Sequence, residues 1–451
     1  MMRSLYSGVA GLKTHQTRMD VIGNNIANVN TTAYKSQSMT FSDLMYQTTQ
    51  AASGANPTTG VGGTNARQIG LGAKTSAIKT AITTQGASQT TNDPFDIMIT
   101  GDSFFIVNNG QNNYFTRDGS FYVDGAGNLA MTSTGYNVMG WQVDPNDASA
   151  IKQDTVSALR VMTTENMTYP PEATKSARIS GIIDKNDTNV NATAGKIMNL
   201  EFYDNQGYKY TAKLSVHSTK TDGQFTVKLD DILDSKGKTV LADKSKASLQ
   251  QNNADVKDPV LEFDLKNGSF KNVGTAGGTE STLTLHFDTG TFPSFTDITI
   301  DFSKCSNLNN NGSSTVSPIR GDAKGNGAGR KVGEMSGIEI QKDGMIYANY
   351  DNGCSRLLGQ IAVATFANAS GLAKEGDNLY SATQNSGDFD GIGTDITTGG
   401  GYMNTGVLEM SNVDLSSEFT EMITTQRGFQ ANSRIITVSD TLLEELTNLK
   451  R

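Results

Sequence analysis

Two cysteines, one tryptophan and three histidines are all that this 451-residue chain holds of those residue types. Each scarcity excludes something. Cys305 and Cys354 stand 49 positions apart, with no metal-ligand spacing around them. They could form a disulfide after export, but the pattern favours two unpaired thiols. His15 falls in a stretch with helical periodicity, and His217 and His286 fall in expected strands; none neighbours a cysteine or a suitably spaced carboxylate, so no metal centre or general base is expected. Trp141 alone cannot build the aromatic platform of a carbohydrate cleft, and no paired carboxylates suggest glycoside chemistry. Asp102, Asp118 and Asp124 lack the spacing of a calcium loop. The "GNGAG" at 325–329 lacks the lysine and the following helix of a phosphate loop. No cofactor and no catalytic role are therefore expected. Charged residues make up only 18% and the net charge is −9 without a long basic run, which argues against nucleic acid as a partner. No apolar segment is long enough to span a bilayer, and the start lacks the basic, apolar and small-residue parts of a secretory signal. Neither membrane insertion nor a cleavable leader is predicted.

What the chain does have is glycine (47 residues) and many asparagines, threonines and serines, with 36% hydrophobic residues. Such a composition suits short strands joined by turns. The two ends read differently. Leu5, Val9, Leu12, Met19, Ile22 and Ile26 recur at gaps of 4, 3, 7, 3 and 4 and share one helix face. Leu415, Phe419, Met422, Phe429, Ile436 and Leu443 follow gaps of 4, 3, 7, 7 and 7, a heptad pattern that puts Gln426, Ser433 and Asp440 at the intervening seam positions. A neighbouring row of Leu442, Leu446 and Leu449 takes over near the end. Ser411, Asn412 or Asp414 can cap this second helix, Glu418 and Glu421 suit its first turns, and Lys450 and Arg451 suit its last carbonyls.

Between the ends, alternation and turn pairs predict strands. Ile97 and Ile99, then Phe105 and Val107, alternate in one block. Met198, Leu200 and Phe202; Phe225, Val227 and Leu229; and Leu261, Phe263 and Leu265 alternate in another. The expected organisation is a first helix over 1–29, a loop-rich linker over 30–72 and a β domain over 73–143. An inserted outer β domain over 144–325 follows, then the β domain's second part over 326–395, a linker over 396–410 and a last helix over 411–451. The fold class is mainly β and multidomain with α-helical termini. The two terminal helices pair as a coiled-coil-like inner domain around nested β domains of barrel or sandwich type. Either stripe could pack on its own domain's core; the alternative is that the stripes cover each other and the same helices of neighbouring chains.

Several stretches are recognisable. "DVIGNNIANVNTTAYKS" (20–36), "PFDIMITGDSFFIV" (94–107) with the hairpins after it, "GLAKEGDNLYSATQNSG" (371–387) and the final "LEMSNVDLSSEFTEMITTQRGFQANSRIITVSDTLLEELTNLKR" resemble, in order, segments of bacterial flagellar rod and hook subunits. The long insertion is similar to that of hook members, and "MNLEFYDNQGYKYTAKLSV" (198–216) to their outer domain. Asn24, Asn25, Asn28, Asn412, Asp414, Gln426 and Arg427 fall on the family's motifs. One departure is Ala33, where the family usually carries glycine, which leaves the turn after the first helix open.

The resemblance implies a helical homopolymer that carries torque from motor to filament, with both apolar stripes as the polymerisation interface. It implies the asparagines as helix-end residues or as hydrogen-bonding groups between subunits, and helical ends that order only on assembly. Implied partners are further copies of the chain, the distal rod at one end and a hook–filament junction protein at the other. A hook cap during assembly and the flagellar export apparatus complete the set. The implied location is the cell exterior, reached from the cytoplasm without a cleavable signal. Another axial subunit of rod type, or a secreted adhesin or carbohydrate-active protein built of β modules, remain the competing readings.

Overall fold

A computed structural model describes residues 2–54, 60, 62–145, 147–241, 244–252, 254–275 and 277–449. The caps expected from Lys450 and Arg451 lie outside them. The chain divides into two compact units: residues 1–163, 338–348 and 356–451, and residues 164–337 and 349–355.

The first unit contains both terminal helices, Met2–Ala27 and Leu415–Asn448, about 39 and 51 Å long at 1.5 Å per residue. They run antiparallel. Gly8 faces Ile436 and Asn432, Gly11 faces Asn432, His15 lies on Gly428, and Arg18 reaches Glu421. Asp414 caps the second helix, its Oδ1 accepting from the Ser416 and Ser417 amides at 2.9 and 3.4 Å.

The stretch expected as loop-rich up to residue 72 is instead a two-stranded ribbon. Gln37–Asp43 pairs antiparallel with Ala73–Thr80, and Tyr46–Gln50 with Arg67–Gly70. Threonine, serine and glutamine dominate these strands, and Met39 and Phe41 alone make too short an apolar alternation to mark them. The ribbon lies along the first helix, where Gly72 meets Ser7 and Ala10, and Phe41 stands edge-on to His15 with ring centroids 5.5 Å apart.

Beyond the ribbon the same unit holds a β domain. Phe104–Asn108 forms a hairpin with Asn113–Thr116 and pairs on its other side with Asn137–Asp144. Phe104, Ile106, Phe115, Trp141, Ala362 and Tyr380 make its core. Trp141 Nε1 donates to the carbonyls of Asp154 and Ile392 at 3.0 and 2.9 Å, as a buried indole requires. Asp147–Ile151 and Ser157–Ala158 also pair with Asn137–Asp144. The second unit therefore begins at 164, whereas sequence put the insertion's start at 144; hydrogen bonds back to an earlier strand leave no trace in composition.

Among the described residues, two sheets make up most of the second unit. One is antiparallel, in the order 196–203, 209–218, 224–234, 260–263, 270–274. The other runs 254–255, 247–251, 282–287, 298–307, 176–183, 317–320, with its 298–307 and 176–183 strands parallel. Leu200, Phe202, Val216, Val227, Leu285, Phe287 and Ile300, from both sheets, share one core. The alternating residues chosen from sequence point inward, except Leu265, which is 74% exposed beyond the end of the strand Val260–Phe263. Cys305 and Cys354 are both buried and unpaired. Burial pushes the Cys305 thiol up to about 12, and it donates to the Ile179 carbonyl at 3.3 Å.

Candidate assembly interface

The seam between the two helices is made mostly of small and polar side chains. Gly8, Thr14, Val21, Ile22 and Asn25 are buried on the first helix, and Thr425 and Ser439 on the second. Glu418, Thr425, Asn432 and Ser439 repeat every seven residues and alternate with Met422, Phe429, Ile436 and Leu443. The intervening row is thus one residue earlier than expected, and Gln426, Ser433 and Asp440 are exposed, as is Arg427. Spacings of 3 and 4 both continue a heptad, and with polar residues in either row nothing apolar chose between them.

The predicted stripes are consequently split. Ile22 is buried, and Leu5, Leu12, Met19, Ile26, Met422, Ile436 and Leu443 are half-buried, Ile436 against Gly8. Val9, Leu415, Phe419 and Phe429 remain exposed. The last three belong to a larger outward set on the second helix. Phe419 is 50% exposed, Ile423 59%, Val438 54%, Leu442 45% and Leu446 50%. Residues 415, 419 and 423 follow at intervals of four, and 435, 438, 442, 446 and 449 at intervals of three or four. A pair of helices whose large apolar residues face solvent while small polar ones meet inside is built inside out. Its charges fit the seam. Arg18 pairs with Glu421 at 2.9 Å. Burial raises the Glu418 carboxyl, partly offset by its hydrogen bond from Asn25. Burial, then Arg18, lowers the His15 imidazole.

The motif asparagines sit where the helices meet the rest of the unit. Asn25 Nδ2 donates to Gln37 O at 2.7 Å and to Glu418 Oε1 at 2.8 Å. Its Oδ1 accepts from the Gln37 amide at 2.9 Å and the Tyr34 hydroxyl at 3.3 Å. That uses all four of its hydrogen-bonding capacities within the chain, so Asn25 has none left for a bond between subunits. Asn24 Nδ2 donates to Tyr34 Oη, and Asn28 folds back on Asn24 and holds Thr31, as helix-end residues do. Asn412 does not cap; its Oδ1 accepts from Ser36 N and its Nδ2 donates to the Ala81 and Thr84 carbonyls. Ala33 has φ 54°, the left-handed conformation that glycine would adopt without strain.

Sequence reasoning missed Lys35, Arg117 and Glu409, which lie buried beside this junction. The cue was present: a lysine in "TAYKS" and a glutamate in "VLEM" interrupt otherwise uncharged stretches. Of the histidines, His217 meets Ser215 and His286 meets Asp297, at 3.0 and 2.8 Å. Among the described residues, no group of three or more histidines, cysteines or carboxylates could hold a metal ion.

The terminal helices pair, and the β domains are inserted between them in the chain. Family matches follow the chain in that order: "Flagella basal body rod protein" over residues 5–35, "Flagellar hook protein FlgE/F/G D1 domain" over 98–180, and "Flagellar basal body rod FlgEFG protein C-terminal" over 404–449. The flagellar hook protein FlgE of Borreliella burgdorferi is 37% identical over 465 residues, covering 100% of both chains. That of Treponema pallidum is 34% identical over 483 residues, again covering 100% of each. The flagellar basal-body rod protein FlgG of Bacillus subtilis is 30% identical over 451 residues with the same coverage. The chain belongs to the flagellar hook protein family, whose members are structural subunits of the bacterial flagellum.

Proposed function

We propose that the chain polymerises into a curved, flexible tube, a universal joint that passes torque from the rod to the filament. The outward apolar face of the C-terminal helix carries this reading. Ile423, Val438, Leu442 and Leu446 have no counterpart in the chain's own seam, and copies of the same helix would cover them. Val9, Leu415, Phe419 and Phe429 join that contact, while the small, polar inner seam leaves these larger apolar side chains free to make it. The unit over 164–337 is an independently folded outer domain, and its threonine-, asparagine- and serine-rich surface allows contacts that exchange as the tube bends. No catalytic step forms part of this role. Export runs through the flagellar apparatus. The tube meets the distal rod at one end and a hook–filament junction protein at the other, and grows beneath a hook cap.

Antibodies raised against residues 196–287, applied to isolated flagella, test the assignment. Decoration of the curved segment between rod and filament is the expected result. Decoration confined to the straight rod would replace the hook reading with the rod reading, which the Bacillus relative's description supports.

A further inference from the structure

Two chain segments adjoin the helix pair: residues 31–36, which lead from the N-terminal helix into the ribbon, and residues 407–414, which lead from the β domain into the C-terminal helix. Two independent loops would each act as a swivel. Here the segments are bonded to one another. Ala33 N–H donates to Glu409 O at 2.7 Å, Ser36 N–H to Asn412 Oδ1 at 2.7 Å, and Asn412 N–H to Tyr34 O at 3.3 Å. Val407–Glu409 also pairs with Ser88–Thr90. The crossing is close enough that a Cβ on Gly86 would collide with the Met410 carbonyl.

At its centre are three charged side chains, those of Lys35 and Glu409 wholly unexposed and that of Arg117 likewise. Lys35 Nζ lies 2.6 Å from Glu409 Oε1 and donates to Thr84 O at 2.8 Å. The Gly86 amide donates to the same Oε1 at 2.8 Å. Arg117 Nη1 lies 3.9 Å from Glu409 Oε2, while its guanidinium donates to Gly101 O and sits 5.1 Å over the Phe104 ring. Each charge comes from a different part of the unit: Lys35 from the first connection, Glu409 from the second, Arg117 from the β domain.

Buried ion pairs are weak sources of stability, since apolar residues of equal volume often do as well; removing one partner, however, strands the rest. What this arrangement supplies is direction: the short charged hydrogen bonds of Lys35 and the Gly86 amide to Glu409 fix how the two segments meet, and Arg117, 3.9 Å away, adds its charge from the β domain. We propose that Lys35, Glu409 and Arg117 are positioning residues, a clamp that makes the two crossings one rigid joint through which twist of the helices reaches the β domain. The proposal rests on the hook-subunit reading above.

Amide hydrogen exchange of the full-length Lys35→Met monomer, with Trp141 fluorescence during heating as reporter of the β domain, tests it. The same variant is then polymerised and its tube stiffness measured by microscopy. Exchange across 31–36 and 407–414 should speed up roughly tenfold or more. The Trp141 transition should stay within about 2 °C, and the tubes should bend and twist more freely than wild type. Unchanged exchange in those segments overturns the clamp. So does faster exchange that simply follows a fallen Trp141 transition, because the triad would then be ordinary β-domain core. Loosened segments with wild-type tube stiffness overturn the mechanical role. A Lys35→Met chain that fails to fold is replaced by Lys35→Gln, which keeps a neutral donor and is read by the same criteria. Failure of the wild-type chain to form tubes overturns the hook reading and the clamp's role with it.

Discussion

Ile423→Asp separates the outward face of the C-terminal helix from the inner seam. Ile423 is 59% exposed, and much of what is covered lies against the helix's own preceding turn. The monomer should therefore lose little: the lower helix propensity of aspartate costs under about 0.7 kcal/mol. In a polymer that covers this face the change is large. Complete burial of an isoleucine contributes about 1.5–3 kcal/mol, of which roughly 1–2 kcal/mol is still to be gained from the exposed three-fifths. Placing a carboxylate there adds a desolvation penalty of about 2 kcal/mol or more. A total near 4 kcal/mol raises the concentration needed for growth roughly 1000-fold, at tenfold per 1.4 kcal/mol. Sedimentation of assembled polymer, alongside thermal melting of the monomer by helix ellipticity and Trp141 fluorescence, reads both quantities. Lost polymer with unchanged melting is the expected result. Wild-type polymer yield would refute the assignment of this face to assembly, and a melting point lower by several degrees would show that Ile423 already belongs to the monomer's packing.

Other substitutions probe different parts. Gly428→Leu should break the helix pair in the monomer itself, because even a Cβ there would lie 2.6 Å from the His15 ring; loss of ellipticity at unchanged Trp141 melting checks it. Deleting residues 164–337 should leave a β domain with native Trp141 fluorescence, whereas deleting 144–325 removes strands paired with Asn137–Asp144 and should lower its melting temperature. Acid should weaken the turns at Asp124, Asp234 and Asp322. Hydrogen bonds from Asn128, the Lys238 amide and the Asn326 amide, respectively, are the chief causes holding these carboxyls below 3.8. The unfolded chain binds protons first, so the contribution is complete above pH 3.8 and is lost as pH falls through the lowered values. Replacing all three with asparagine should flatten stability against pH in that window, measured by denaturant unfolding.

Much of this architecture is local and therefore readable in the chain. A seven-residue repeat from Met422 to Leu443 follows from helix geometry alone, as Met198, Leu200 and Phe202 follow from the strand's period of two. The hairpin between Phe104–Asn108 and Asn113–Thr116 announces itself through Asn109-Gly110, whose glycine has φ 95°. The family's segments likewise keep their order in the sequence. Tertiary structure decided what local chemistry leaves degenerate. Thr425 rather than Gln426 faces the first helix because only the partner's Gly11, His15 and Arg18 distinguish two polar rows. The ribbon of residues 37–50 and 67–80 exists through backbone pairing that its mostly polar side chains do not advertise. Ala33 takes a left-handed φ because its amide is drawn to Glu409 O. Lys35 and Glu409, 374 residues apart, are each an unremarked charge in the chain; folding makes them a pair, because burial leaves either one no better partner than the other.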